Sequence, residues 1–363
     1  MSKPVKMWEH IPYAKEHFDE MLAMTQEYYG NENDISQRDF VVHEYFENPA
    51  GEALIDLAWD AQANTLAGQY VVLPMRFLAY GEEIQCSLSL NTLTRENYRG
   101  QGVFTGLAER TYAHGKNIGH KFCYGMPNPN SYPGFIKKLQ FKDIGNLPLY
   151  LRPLHPSRMV QEFFGKKFMS VFARPLNPIY RIKSCSEVNE VQVVPLTEEN
   201  ISLVDGFWSA VAGKYPIMNV RDSAFVRFRY LAMPRRTYIP MVALRAGAVV
   251  AFAVGRTTEV AGMQCAMLVD FLFLNGEEIA GTQLLKVLLS ELQARGASVA
   301  GSLMLQHTQE AALLRHHGFF RCPKKLEPQP FPFILRSFNL EAELKKMSTL
   351  SNWFFTMGDY DVI

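Results

Sequence analysis

Hydrophobic and polar positions along the chain fall into blocks that predict strands and helices in an order that recurs. Between about Val41 and Leu151, the run LIDLAW is followed by GQYVVLPMRFLAYGEEIQCSLSLNTLT, where Tyr80-Gly81-Glu82-Glu83 predicts a hairpin between two strands. A glycine-rich turn, Arg99-Gly100-Gln101-Gly102, precedes VFTGLAERTYAHGKN, in which Val103, Leu107 and Arg110 share one helical face. KFCYGM then predicts a buried strand, ended by Asn128-Pro129-Asn130. From about Val191 to Phe338, VQVVPL predicts a strand, with Thr197 as a helix cap after it. IPMVALRAGAVVAFAVGRT predicts two strands around Ala246-Gly247, and MQCAMLVDFLFLNG a further strand carrying Asp270. GTQLLKVLLSELQARGA is an amphipathic helix with Leu284, Leu285, Leu288, Leu289 and Leu292 on one face and Gly296 past its end. Between the two blocks, Leu151 to Val188 is proline-rich and basic. Pro153, Pro156, Pro175 and Pro178 there predict an irregular linker or lid whose charges form a solvated surface.

The recurrence suggests two copies of one architecture, and 363 residues are enough for two domains with separate cores. Lys and Arg number 37 against 36 Asp and Glu, a formal charge of +1 that argues against a dedicated nucleic-acid binder but leaves room for a local basic pocket. Cys86, Cys123, Cys185, Cys265 and Cys322 are scattered, without zinc or redox pair spacing, and fit reduced thiols in a cytoplasmic protein. No His/Cys/Asp cluster has metal spacing, so no metal is expected. The first twenty residues lack an apolar core segment, so a cleaved signal peptide is not expected. The longest apolar stretch, Ala246 to Gly255, falls well short of the ~20 residues that a bilayer span needs.

The segment Leu88 to Gly106 places a strand end near Thr94, a Gly-x-Gly turn, and a helix start at about Val103. Glycines there let the backbone bring several amides to one ligand, and the positive end of the helix favours a phosphate or pyrophosphate. It is neither a Walker loop nor a dinucleotide fingerprint, lacking GK[ST] and a third glycine. Asn97-Tyr98-Arg99-Gly100-Gln101-Gly102 resembles the pyrophosphate loop of the GCN5-related N-acetyltransferases, [Q/R]-x-x-G-x-[G/A]. The stretch from Asn128 to Phe141 resembles that family's closing motif, an Asn followed by a helix ending in K-L-G-F. Leu313-Leu314-Arg315-His316-His317-Gly318-Phe319 offers a second such ending. Asn97 and Gln140 depart from the pattern, and Ile136 stands where many members carry the tyrosine that protonates the departing thiolate, which leaves Tyr132 as a substitute.

The resemblance implies an α/β (α+β) fold of two tandem domains, each a mixed, mostly antiparallel sheet flanked by helices, with a V-shaped strand splay. Residues 1–155 would bind acyl-CoA, 156–190 would be the linker or lid, and 191–363 a degenerate copy helping to bind the acceptor. In the second half Asn275 to Gly281 stands where a phosphate loop should be, and its carboxylates, Glu277 and Glu278, would repel a pyrophosphate. By the same resemblance, Leu93, Thr94, Arg99, Gly100, Gln101, Gly102, Val103, Phe104, Thr105, Asn128 and Tyr132 contact coenzyme A, and Phe104 bears on acyl size. The reaction is direct attack of an amine on the thioester, which requires a proton acceptor. Asp270, in LVDFLF, is the first candidate base; otherwise it is a carboxylate bonded to neighbouring backbone. His307 and Tyr132 complete the catalytic candidates, while His316 and His317 read as helix-end histidines favoured by the dipole. The C-terminal half also resembles two-domain members that acylate nucleotide-linked deoxyamino sugars for surface polysaccharides. Arg229, Tyr230 and Trp353 would then hold the acceptor, with solvated arginines and core aromatics as the other reading. The alternatives are a two-domain aminoglycoside or peptide-amine N-acetyltransferase, for which the terminal carboxylate of Ile363 is of interest, or a CoA-binding module without activity.

Overall fold

The structure is a computed structural model that describes residues 7–165, 167–182, 190–338 and 345–360; Cys185 and Ile363 lie outside the described residues. These residues divide into two compact units, the first built from the chain up to 145 with 233–235 and 331–349, the second from 146–232, 236–330 and the residues from 350 onward.

The first unit runs β1 (Glu9–Pro12), α1 (Phe18–Tyr29), α2 (Arg38–Phe46), β2 (Leu54–Asp60), β3 (Thr65–Ala79), β4 (Glu82–Thr94), α3 (Val103–Asn117), β5 (Phe122–Gly125), α4 (Tyr132–Lys138) and β6 (Lys142–Asn146), with β15 (Pro332–Ser337) joining from later in the chain. Its sheet order is β1-β2-β3-β4-β5-β15-β6. The hairpin at Tyr80-Gly81 forms as expected, with φ of 52° and 87° at the two turn residues, the twist that suits paired antiparallel strands. β4 and β5 are parallel, so the chain must cross over between them, and α3 is that crossover. Val103, Leu107, Ala108, Thr111, Tyr112 and Gly115 form the buried face of α3. That face packs into a core with Trp8, Tyr70, Tyr98, Phe135 and Phe141. Burying a side chain such as Leu107 contributes about 1.5–3 kcal/mol.

The second unit runs β7 (Leu149–Pro153), α5 (Pro156–Phe164), α6 (Lys167–Ala173), α7 (Asn177–Tyr180), β8 (Val191–Pro195), α8 (Leu203–Val211), β9 (Ile217–Asn219), α9 (Ser223–Val226), β10 (Ile239–Arg245), β11 (Ala248–Val260), β12 (Met263–Phe273), α10 (Glu278–Ala294), β13 (Val299–Leu303), α11 (Gln309–His316), β14 (Phe320–Arg321) and β16 (Trp353–Phe354). Its seven-stranded sheet has the order β14-β7-β13-β12-β11-β10-β8. Hairpin, crossover helix and parallel strand (β11, β12, α10, β13) repeat the order of β3, β4, α3 and β5, so the two copies read from the sequence are present.

Strands from distant parts of the chain complete both sheets. β15 lies between β5 and β6, and β7 lies between β13 and β14. β15 pairs antiparallel with β5 over Ile334↔Gly125 to Ser337↔Phe122, and β7 pairs with β13 over Val299↔Pro153 to Leu303↔Leu149. Residues 146–155 therefore belong with the second unit and 331–349 with the first. The stretch expected to be an irregular linker contains three helices instead. Pro156 sits in the first turn of α5 and Pro178 in that of α7, where the missing amide removes no helical bond. Thr197 does not cap a helix: its amide bonds to Asn200 Oδ1 at 2.8 Å, and α8 begins only at Leu203.

Candidate functional site

In the first unit, β4 pairs with β3 along its whole length but with β5 only at Ser87↔Cys123 and Leu88↔Tyr124. Among the described residues its other edge has no strand partner from Ser89 to Thr94, and the two strands part. The register between β3 and β4 shifts by one residue between Gln69 and Val71, a bulge that re-aims the edge of β4. Asn91 occupies it with φ of 43°, a conformation asparagine tolerates, and its Nδ2 donates to Tyr45 Oη at 2.7 Å. Nothing in the alternation of the sequence marked Asn91. Ser89, the first residue past the pairing, shares a hydrogen bond of 3.0 Å with Tyr70, whose hydroxyl in turn meets Tyr112. Leu93 and Thr94 close the free edge, with Leu93 buried.

The loop follows directly. Gly100 and Gly102 have φ of 80° and 81°, the left-handed region, and Gly102 caps α3. Among the described residues the amides of Val103, Phe104 and Thr105 donate to no backbone acceptor, whereas the amide of Gly106 reaches Gly102 O at 2.8 Å. Three unpaired amides at the positive end of a fifteen-residue helix suit an anion. The loop is held from below. Tyr98 Oη donates to Asp60 Oδ2 at 2.8 Å, Gln101 Oε1 accepts from the amide of Met7 at 3.1 Å, and Gln101 O accepts from Trp8 Nε1 at 3.2 Å. The Gln101 side chain is therefore a brace for the loop. Arg99 stays exposed, 3.7 Å from Glu96. Gly68, which the sequence reading missed, positions the loop from β3. A Cβ there would stand 2.6 Å from Val103 Cγ1 and 2.9 Å from Leu93 O, so glycine lets the N-terminus of α3 settle against β3. Gly68→Ala is expected to destabilise the first unit by about 1–3 kcal/mol through overpacking. A urea midpoint equal to wild type would show that no such close approach is needed.

Asn128 lies three residues past β5. Its Oδ1 accepts from the amides of Asn130 and Ser131 at 3.0 Å, organising the turn into α4. Tyr132 opens α4, half-buried beside Phe104 and Ile136 on the core. Its hydroxyl donates to Asp143 Oδ2 at 2.6 Å. That bond, with some burial and the carboxylate charge, raises the phenol's pKa, so Tyr132 holds its proton. Phe104 packs edge-on against Phe135 at 5.3 Å.

The remaining candidates belong to the second unit, and their surroundings give them other work. Asp270 is 1% exposed and follows a bulge at Val269 in β12. It accepts from Arg221 Nε at 2.8 Å, Tyr230 Oη at 3.0 Å, Thr356 Oγ1 at 3.2 Å and the Phe271 amide at 3.0 Å. Arg221, itself fully buried, also holds both oxygens of Asp359, at 2.9 and 3.0 Å. A carboxylate so enclosed is the counter-ion of Arg221, with its oxygens taken up by protein donors. Tyr230 and Trp353 are core residues, 2% and 0% exposed. Arg229 is buried and donates to Tyr238 Oη at 3.0 Å and Tyr360 O at 2.8 Å. The two aromatics are core, the reading the sequence had left open, whereas Arg229 is buried rather than solvated. His307 is exposed, edge-on to Tyr215 at 6.1 Å, with its pKa lowered first by burial of part of the ring. The position matching the phosphate loop is closed by charge: Glu277 receives Arg245 Nη2 at 2.8 Å and Nε at 3.0 Å. Among the described residues no cluster of three His, Cys, Asp or Glu side chains could hold a metal ion, and no helix is long and apolar enough to cross a membrane.

A sheet opened between two parallel strands, with a bulge in the longer one and an amide loop at its end, defines the class of GNAT-fold domains. Residues 9–142 match the family model of the acetyltransferase (GNAT) domain, and the chain carries such a domain in its first unit. No curated protein sequence matches it. Among solved structures it is similar to a GCN5-related N-acetyltransferase from Anabaena variabilis ATCC 29413, at 11% identity and TM-score 0.64, covering 92% of this chain and 73% of that one. It is similar to a probable N-acyltransferase from Enterococcus faecalis V583, at 11% identity and TM-score 0.63, with 93% and 75% covered. It is also similar to Saccharomyces cerevisiae N-myristoyltransferase with bound myristoyl-CoA, at 10% identity and TM-score 0.59, with 91% and 83% covered. These likenesses extend the GNAT fold across both units.

Proposed function

We propose that the protein is an acyl-CoA-dependent N-acyltransferase whose first unit holds coenzyme A. The observation that carries the reading is the trio of unpaired amides at Val103, Phe104 and Thr105, placed by two left-handed glycines at the end of an unpaired strand edge. Those amides fit a pyrophosphate, and the free edge of β4 from Ser89 to Thr94 fits the amide-bearing arm. When bound, acyl-CoA supplies an activated thioester. The chain's own part is to orient it and to manage protons: an amine that gains an acyl group sheds a proton, and the departing thiolate takes one up. Tyr132, kept protonated by Asp143, is the donor this unit offers for the second step.

The acceptor is a primary amine. A nucleotide-linked amino sugar remains one member of that class, although Arg229, Tyr230 and Trp353 do not support it. The myristoyl-CoA bound to the yeast neighbour makes long acyl chains part of the test. Thiol release should be followed with acetyl-, octanoyl- and myristoyl-CoA against dTDP- and UDP-amino sugars, aminoglycosides and peptides with free amino termini. Acyl transfer to at least one amine is expected, and no amine-dependent thiol release with any pair would overturn the reading. In the productive pair, Tyr132→Phe is expected to lower kcat by about 10–100-fold with KM for acyl-CoA unchanged. An unaltered kcat would take the proton-donor role from Tyr132.

A further inference from the structure

The second unit contains a cavity of about 230 Å³ whose polar lining is three cationic side chains and one histidine, with no carboxylate. Arg152 from β7, Arg181 beyond α7, Lys286 from α10 and His317 at the end of α11 converge there, against Ile182, Leu285 and Leu289. The Arg152 Nε is buried and has no hydrogen-bond partner. Among the described residues neither Arg152, Arg181 nor Lys286 forms an ion pair, although Lys214, Arg221, Arg245 and Arg336 elsewhere in the chain are each paired with a carboxylate. His317 Nε2 meets only the Thr282 hydroxyl, at 3.0 Å. The expectation that the helix dipole would favour a charged His317 fails for this reason. Burial, then Lys286, His316 and Arg152, push its pKa down to about 4. A larger groove of about 600 Å³ between α10 and α11 shares Lys286 and His317 and continues past Thr282 and Ile279.

The half-buried Arg152, with its Nε sealed from solvent, lacks the partner that normally offsets a buried charge, while Arg181 is exposed and Lys286 half-buried, so all three stay available to an anion. Three permanent charges with a fork-shaped guanidinium select a dianion, and phosphate matches that fork. The aliphatic wall adds an apolar body to the requirement. We propose that this cavity binds an organic phosphate, its phosphate on Arg152, Arg181 and Lys286 and its carbon body against Ile182, Leu285 and Leu289. The site is separate from the amide loop of the first unit and does not depend on the acyl-transfer reading. The proline-rich basic stretch read from the sequence as solvated surface contributes two of its cations.

Calorimetric titration of the full chain with phenyl phosphate tests it. Saturable binding is expected, weakened at least about tenfold in Arg152→Gln/Lys286→Gln. Arg295→Gln, which removes a surface cation already paired with Glu291 at 3.0 Å, should stay within about twofold of wild type. Benzoate binding as tightly would overturn the phosphate class, and inorganic phosphate binding as tightly would overturn the apolar part. No saturation, or equal affinity in the double variant, would overturn the site itself. So would loss of phenyl phosphate binding in Gly100→Val/Gly102→Val, which would place the probe on the loop. A second measurement needs no variant fold. A bound dianion raises the pKa of His317, so its imidazole proton resonances near pH 6 should move on titration of the wild-type protein, and stationary resonances at saturation would overturn the proposal.

Discussion

Replacement of Gly100 and Gly102 together by valine is expected to weaken coenzyme A binding by about two orders of magnitude or more. The argument is conformational. A Cβ at Gly100 would meet nothing within 4 Å, and one at Gly102 only Thr105 Oγ1 at 3.8 Å, so there is room for side chains. What valine cannot accept is a φ near 80°, which costs an L-residue about 1–2 kcal/mol and a β-branched one more. The loop would relax toward negative φ and turn the amides of Val103, Phe104 and Thr105 away from a common point. Each charge-assisted hydrogen bond lost there weakens binding by about 1.5–3 kcal/mol, so two account for the expected change. Asparagine, which tolerates the left-handed region, supplies the control. Gly100→Asn/Gly102→Asn should keep affinity within about tenfold of wild type if backbone conformation is the cause. Calorimetry with coenzyme A reads both variants. Wild-type affinity in the valine pair would remove the loop from the binding site and with it the proposed activity.

Much of the first unit was legible because its signals are local. The Tyr80-Gly81 turn, the start of α3 at Val103 and the buried β5 follow from short-range patterns, and all lie where the sequence placed them. The strand exchange was not legible. β7 and β15 are short apolar runs, LYLRP and PFILRS, and nothing in such a run states which sheet it will complete. Asn91 and Gly68 escaped for a related reason: a bulge and a close approach depend on a partner strand and a helix distant in sequence. Asp270 illustrates the opposite case. Its oddity as a carboxylate in an apolar strand was visible, but its meaning depended on Arg221, Thr356 and Asp359, which sequence spacing could not bring together.

That cluster yields the largest expected effect on stability. Arg221 is the cation between two carboxylates, and all three side chains are fully buried. Arg221→Met removes the charge while keeping much of the volume, leaving Asp270 and Asp359 facing each other. Breaking one side of a buried pair costs about 3–5 kcal/mol, and a comparable loss of unfolding free energy is expected near pH 7.5. Its pH dependence has a definite sign. Asp359 is raised above its ordinary 3.8 by burial, is pulled back by Arg221, and is raised again by Asp270. Without Arg221 its folded-state pKa rises further while the unfolded value stays put, so above about pH 4 the folded state binds more protons than the unfolded. The variant must therefore lose stability as pH rises, with a deficit smaller at about pH 5 than at about pH 7.5. Urea midpoints at the two values measure it, and a deficit that grows toward low pH would overturn this account of the cluster. Arg221→Met/Asp270→Asn/Asp359→Asn removes all the charges at once and should recover most of the loss, because neutral replacement of a buried ion network is often tolerated. The same triple variant separates the two meanings of Asp270. If its carboxylate only neutralises Arg221, acyl transfer survives in the refolded triple variant; a catalytic base would take the activity away while stability returned.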